Sequence, residues 1–201
     1  MKQSKKQPQV TRQALLAAAG EGFARTGYMG TGLGTVVAAA GVTKGALFHH
    51  FPDKQALALA WIDECLAPEV EAHWLAPLRD ADGLSTLRDV CRLRLDGLRP
   101  GDATATLAAL AAELGARDTV LGGRLEGIYD HWREAIAGLL ERGQASGGVH
   151  RSIKPEAEAA FLVAVVAGTS VTAAWMPERT ALRRCATALE DYLETLRSVP
   201  A

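Results

Sequence analysis

Apolar residues in this chain recur at intervals of three and four, segment after segment, and each run is cut by glycine or proline. Leu15, Leu16, Ala19 and Phe23 make one such face. Leu87, Val90, Cys91, Leu95 and Leu98 make a second, and Leu125, Ile128, Tyr129, Trp132, Ile136 and Leu139 a third. That spacing lays one stripe of a helix against a core, whereas a half-buried strand would alternate with period two. Composition agrees. Alanine is abundant, and the residues that strands favour are sparse. With 201 residues, 48% of them hydrophobic, the chain is long enough to bury a sizeable core. The expectation is an all-α protein of about nine helices.

The breakers set the expected boundaries. Residues 1–9 are polar and basic and read as a disordered arm. The first helix is expected from about Thr11, as N-cap, to about Thr26, with Gly27 ending it in the left-handed conformation. Thr31 is expected to cap a short second helix that Gly41 closes, and a third runs through His50. Asp53 caps a long fourth helix from Lys54 to about Leu75, kinked or interrupted at Pro68. A loop from Pro77 to Gly83 follows. Five further helices are expected near 84–98, 102–115, 119–142, 155–176 and 178–196, with Pro177 stopping the eighth.

Net charge is −1, but it is unevenly spread. Residues 1–60 hold seven cations (Lys2, Lys5, Lys6, Arg12, Arg25, Lys44, Lys54) and two anions (Glu21, Asp53), leaving the remainder acidic. A basic head on an acidic body suits a head that meets phosphate. Cys65, Cys91 and Cys185 are odd in number and far apart, which argues against a disulfide framework or a zinc site and for free thiols. No nucleophile elbow, phosphate loop or metal-ligand pair is present, so no enzyme and no cofactor are expected. The N-terminus lacks the apolar core of a signal peptide, and a cytoplasmic protein is expected. The stretch from Ala159 to Met176 carries no charge. It is rich in small residues, and it reads as a helix buried on several sides rather than a membrane span.

The block AAAGVTKGALFHHFPDKQAL holds the functional signal. Ala39, Ala40, Gly41, Val42, Thr43, Lys44, Gly45, Leu47, Phe48, His50, Phe51 and Lys54 stand at the spacing of the signature of the tetracycline-repressor (TetR) family, which this segment closely resembles. Upstream, Ala18, Ala19, Phe23, Gly27, Tyr28 and Thr31 also fit that family's first helix and turn. The physics of a helix-turn-helix is consistent with it: a first helix, a glycine turn, and a second helix whose outer face is free for the major groove. Val42 and Leu47 are the inward residues, which leaves Thr43, Lys44, Gly45, Ala46 and His49 on or near the exposed face. Lys44 reaches guanine or phosphate, Ala46 can meet a thymine methyl, and His49 reads a base edge. Thr31 opens an anion-binding helix N-terminus, and Lys54 touches the DNA backbone. The resemblance implies that His50 sits near phosphate, with a structural role weighed equally. Phe48 departs from the family's Tyr and lacks its hydroxyl; Gly34 departs from a polar or charged residue.

The same resemblance implies the organisation of the chain: a DNA-binding domain over 10–58 and a helical ligand-binding and dimerisation domain over 59–201. It implies a homodimer through the eighth and ninth helices, double-stranded operator DNA as partner, and a repressor released by a small-molecule inducer. An activator, or a regulator of this fold that senses no small molecule, is the alternative. Candidate residues for the ligand cavity are Trp61, Cys65, Cys91, Leu95, Tyr129, Trp132, Phe161, Val165 and Thr169. For each of them singly, an ordinary core role is the stronger reading.

Overall fold

The computed structural model describes residues 6–81, 83–99, 101–173 and 179–198. Among these residues the chain is helical, with no strand; a lone antiparallel bridge joins Val149 and Arg197. The helices are α1 (Lys6–Gly30), α2 (Leu33–Ala40) and α3 (Lys44–His50). Next comes α4, an unbroken run of α-helical Lys54–Trp61, π-helical Ile62–Leu66, α-helical Ala67–Val70, π-helical Glu71–Leu75 and α-helical Ala76–Arg79. The chain continues with α5 (Leu84–Gly97), α6 (Ala103–Leu114), α7 (Thr119–Ala145), α8 (Pro155–Ala173) and α9 (Arg179–Thr195).

Three features differ from expectation for physical reasons. First, α1 is already helical at Lys6, so Thr11 is not its N-cap; residues 1–5 of the expected arm lie outside the described residues. Second, α4 passes both prolines and the expected loop after Leu75 is helical to Arg79. In a regular α-helix the Pro68 ring would press on the carbonyl four residues back. Each proline instead follows a π-helical turn, closed by Ala67 N–H to the Ile62 carbonyl and by Ala76 N–H to the Glu71 carbonyl. Third, α8 is buried along one stripe only. Ala159, Leu162, Val163, Val166, Thr169, Ser170 and Ala173 face inward, while Ala157, Ala160, Phe161, Ala164, Gly168 and Val171 are exposed. Pro177 lies outside the described residues. By length and composition α8 is apolar enough to cross a membrane, but one side of it packs against α5 and α9.

The chain forms two compact units. The first is Met1–Pro68 together with Ala109–Leu125, so the helical head takes in the end of α6 and the start of α7. Its core gathers Leu15, Ala19, Phe23, Val36, Leu47, Phe51, Leu57 and Trp61. The Trp61 ring lies edge-on to Phe23 with centroids 5.3 Å apart. Helices as short as α2 and α3 are unstable alone in water; Val36 and Leu47, both nearly fully buried, hold them.

The second unit is Glu69–Ala108 with Glu126–Ala201. Leu87, Cys91 and Leu95 of α5, Trp132, Ile136 and Leu139 of α7, and Leu182, Leu189 and Leu193 of α9 supply its core. Arg88 ties α5 to Glu194 of α9 at 3.1 Å. Arg142 donates to the carbonyls of Leu78 at 2.7 Å and Ala81 at 3.0 Å, fixing the end of α4 to α7.

Candidate nucleic-acid interface

The turn between α2 and α3 rests on Gly41, at φ 65° and ψ 31°, a left-handed position that suits a residue without Cβ. Its N–H donates to the Ala38 carbonyl, and that of Val42 to the Val37 carbonyl, each at 3.2 Å. Thr43 then caps α3: its hydroxyl oxygen accepts from Ala46 N–H at 3.2 Å. Leu47 is completely buried and sets the rotation of the helix. Thr43, Lys44, Gly45, Phe48 and His49 consequently face outward, and Ala46 and His50 are half-buried. Phe48 is 53% exposed, a large apolar ring kept at the surface of a short helix.

Thr31 is not the N-cap expected from the sequence. Gly32 holds that position, with an extended backbone and no side-chain cap. Thr31 is buried, and its hydroxyl donates to the Gly27 carbonyl at 2.7 Å and lies 3.0 Å from the Thr26 hydroxyl. It is therefore removed from the set of phosphate-facing side chains. The first-turn N–H groups of α2 are left without a side-chain cap, which is the usual anion-binding arrangement. Gly32 ahead of the apolar run is the signal that would have located them.

His50 lies with its ring centroid 5.3 Å from that of His49. Burial, then His49, then Arg12 hold the His50 imidazole below its ordinary range, favouring the neutral ring. A phosphate beside it would favour the proton instead. Lys54 opens α4 after Asp53, whose carboxylate accepts from Ala56 N–H at 2.7 Å. Its ammonium sits 4.3 Å over the Tyr28 ring and is held below the usual lysine range by burial, with Glu113 opposing. Lys54 is thus engaged inside the head in the free protein.

Two carboxylates that sequence reasoning missed fasten the end of α6 and the start of α7 to α1 and α4. Glu113 accepts from the backbone N–H groups of Tyr28 at 2.8 Å and Met29 at 2.7 Å, across Gly27. Asp118 accepts from the Gln55 amide at 2.9 Å and caps α7 through Val120 and Leu121 N–H. These bonds hold the Asp118 carboxyl below its ordinary range, against burial. Arg12 pairs with Glu64, and Arg124 with Asp63. The start of α7 near Thr119 was legible, but nothing local marks Glu113 as a partner of residues far earlier in the chain.

The candidate ligand residues divide. Trp61 and Cys65 fall in the first unit, where Trp61 packs on α1. Cys91, Leu95, Tyr129, Trp132, Phe161, Val165 and Thr169 fall in the second. Cys91, Leu95, Trp132 and Thr169 are buried there, and Tyr129 and Val165 are half-buried. Phe161 is 47% exposed on the outer stripe of α8, its ring 5.1 Å from that of Tyr192, so it does not line the interior of that unit. Tyr192 donates to Glu158 at 2.7 Å. Among the described residues no group of three or more His, Cys, Asp or Glu side chains is placed to hold a metal.

A short helix, a glycine turn and a second helix with a free outer face define a helix-turn-helix DNA-binding head on an all-helical body. Residues 15–61 match the bacterial regulatory proteins of the tetR family, and residues 83–198 match the C-terminal part of BetI-type transcriptional repressors. The chain belongs to the TetR family of transcriptional regulators. It is 31% identical over 139 residues to the HTH-type transcriptional regulator RutR of Escherichia coli (strain K12), a match covering 66% of this chain and 63% of that relative's length. The transcriptional regulator AcuR of Cereibacter sphaeroides is 30% identical over 157 residues, 74% of this chain and 69% of its own. A TetR transcriptional regulator from Chloroflexus aurantiacus J-10-FL superposes with a TM-score of 0.81 at 27% identity, covering 97% of this chain and 100% of that one.

Proposed function

We propose that this chain is a homodimeric repressor that leaves a near-palindromic operator when a small molecule binds its body. The carrying observation is the outer face of α3, where Lys44, Gly45 and His49 are exposed while Leu47 anchors the helix from behind. In the complex, Lys44 takes a guanine edge or a phosphate, Ala46 and Phe48 offer apolar contact to thymine methyls or sugars, and His49 reads a base edge. The uncapped N-terminus of α2, Thr43 and His50 meet the DNA backbone. In a dimer two such helices, about 34–36 Å apart, enter successive major grooves.

Fluorescence anisotropy on a duplex from the promoter beside this gene tests the reading. Lys44→Ala and His49→Ala are each expected to weaken binding about ten- to a hundred-fold, the loss of one base or phosphate contact of about 1–3 kcal/mol. Unchanged affinity in both variants would remove the reading face from α3. Ligand release implies reciprocity: operator DNA must weaken inducer binding by the factor by which inducer weakens DNA binding. Raised expression from that promoter on deletion of the gene distinguishes a repressor from an activator.

The exposed stripe of α8 supports the dimer. Ala157, Ala160, Ala164 and Gly168 are small enough for close helix approach, and on α9 the small residues Cys185 and Ala188 are exposed, with Ala181 half-buried. Four helices, two from each protomer, would cover it. Ala164→Arg is expected to shift the sedimenting species from dimer to monomer and to weaken operator binding with it. A variant that sediments as a dimer would move the interface elsewhere.

A further inference from the structure

We infer that the small molecule sensed by this chain is uncharged, with a flat apolar ring and a hydrogen-bond acceptor that takes the indole N–H of Trp132. The inference rests on the ligand-responsive reading above and adds the chemistry of the ligand.

Trp132 lies on α7 and is completely buried, yet its Nε1–H has no acceptor. Buried donors are nearly always paired, because a lost water bond is otherwise not replaced. Its neighbour shows the ordinary solution. The Trp74 ring is 4.7 Å away, and its own N–H donates to the Thr104 hydroxyl at 2.9 Å. Two indoles in contact, one satisfied and one not, mark the second as the donor kept for a visitor. The Tyr129 ring stacks nearly parallel to Trp132, at 13° and 6.3 Å. Flat ring faces beside an unpaired donor favour a flat partner.

Charge selects further. The buried polar side chains of this unit are Thr104, Thr106, Thr169 and Ser170, all neutral. Thr169 and Ser170 hydroxyls donate to the Val165 and Val166 carbonyls, each at 2.8 Å. Burial pushes the Cys91 thiol and the Tyr129 phenol up to about 12, so both stay protonated. Among the described residues the other buried side-chain atom without a hydrogen bond is Glu71 Oε1, whose charge is met by the Arg79 guanidinium at 2.6 Å, so this interior offers donors and ring faces but no unpaired charge to neutralise an ion. An anion or a cation would be left unpaired there. A carbonyl-bearing aromatic would not.

The test uses the full chain with 15N-labelled indoles and three probes that share a phenyl ring: methyl benzoate, benzoate and benzyltrimethylammonium. The Trp132 N–H signal is identified by its loss in Trp132→Phe, and independently in the unsubstituted chain by its NOE to the Tyr129 ring. Methyl benzoate is expected to move that signal downfield saturably and to raise the thermal midpoint; neither ion should do either. An unmoved Trp132 signal with methyl benzoate, or an equal response to either ion, would overturn the inference. Operator binding by the same sample separates this from the function itself. DNA binding without an indole response removes the ligand chemistry alone, whereas absence of DNA binding removes the regulator reading.

Discussion

Gly27→Ala is expected to destabilise the head by about 3–5 kcal/mol in equilibrium denaturation. Two costs combine. Gly27 sits at φ 72° and ψ 176°, a region that only glycine occupies without strain, and a side chain there costs about 1–3 kcal/mol. A Cβ would also lie 2.6 Å from Oε2 of Glu113, the carboxylate that accepts from Tyr28 and Met29. Pushing it aside leaves two N–H groups without their acceptor, each costing on the order of 1 kcal/mol at a partly exposed site. Gly41→Ala is the control. Gly41 is also left-handed, but at an ordinary φ of 65° and ψ of 31°, with nothing within 4 Å of the added carbon. It should cost only about 1 kcal/mol. Equal losses in the two variants would show that neither the Glu113 contact nor the rarer backbone region at Gly27 adds to the cost.

Gly20→Ala is expected to destabilise by about 1–3 kcal/mol, opposite in sign to its helix propensity. Propensity favours alanine by about 1 kcal/mol inside a helix. The added carbon, however, would press on the Trp61 indole, 3.0 Å from Cε2 and closer still to Nε1. Trp61 is itself wedged against Phe23 and cannot yield without opening the core. Overpacking of that kind outweighs the propensity gain. A rise in the denaturation midpoint would mean that the ring moves freely. Gly22 makes a similar close approach, with Thr31 Cγ2 at 2.5 Å from the position of a Cβ.

Those two glycines show what the sequence could and could not reveal. As letters inside a helical run, Gly20 and Gly22 read as local weaknesses. In three dimensions they are places where Trp61 and Thr31 leave no room for a Cβ on α1. The class of fold was legible because helical periodicity is a local property, repeated from Leu15 to Leu193. The helix-turn-helix was legible because its signature is contiguous, from Ala39 to Lys54. What failed was finer. Thr31 and Gly32 compete for one cap, and the loser was buried by a bond to Gly27. The π-helical turns of α4 depend on a register that no single residue announces, although Pro68 and Pro77 each stand shortly after one. The outward set of Phe161 follows from packing α8 against α5 and α9, which its nearly uniform apolar sequence does not orient.

Glu113 and Asp118 have a practical corollary for anyone who would cut or graft this protein. The unit that carries the helix-turn-helix is discontinuous along the chain: a span of 17 residues, 109–125, returns from far downstream to complete it. A fragment ending at Pro68 would therefore forfeit the acceptors for Tyr28, Met29 and Gln55. A chimera that swaps recognition domains between related regulators should exchange the α6–α7 corner together with the N-terminal helices, so that each donor arrives with its own carboxylate.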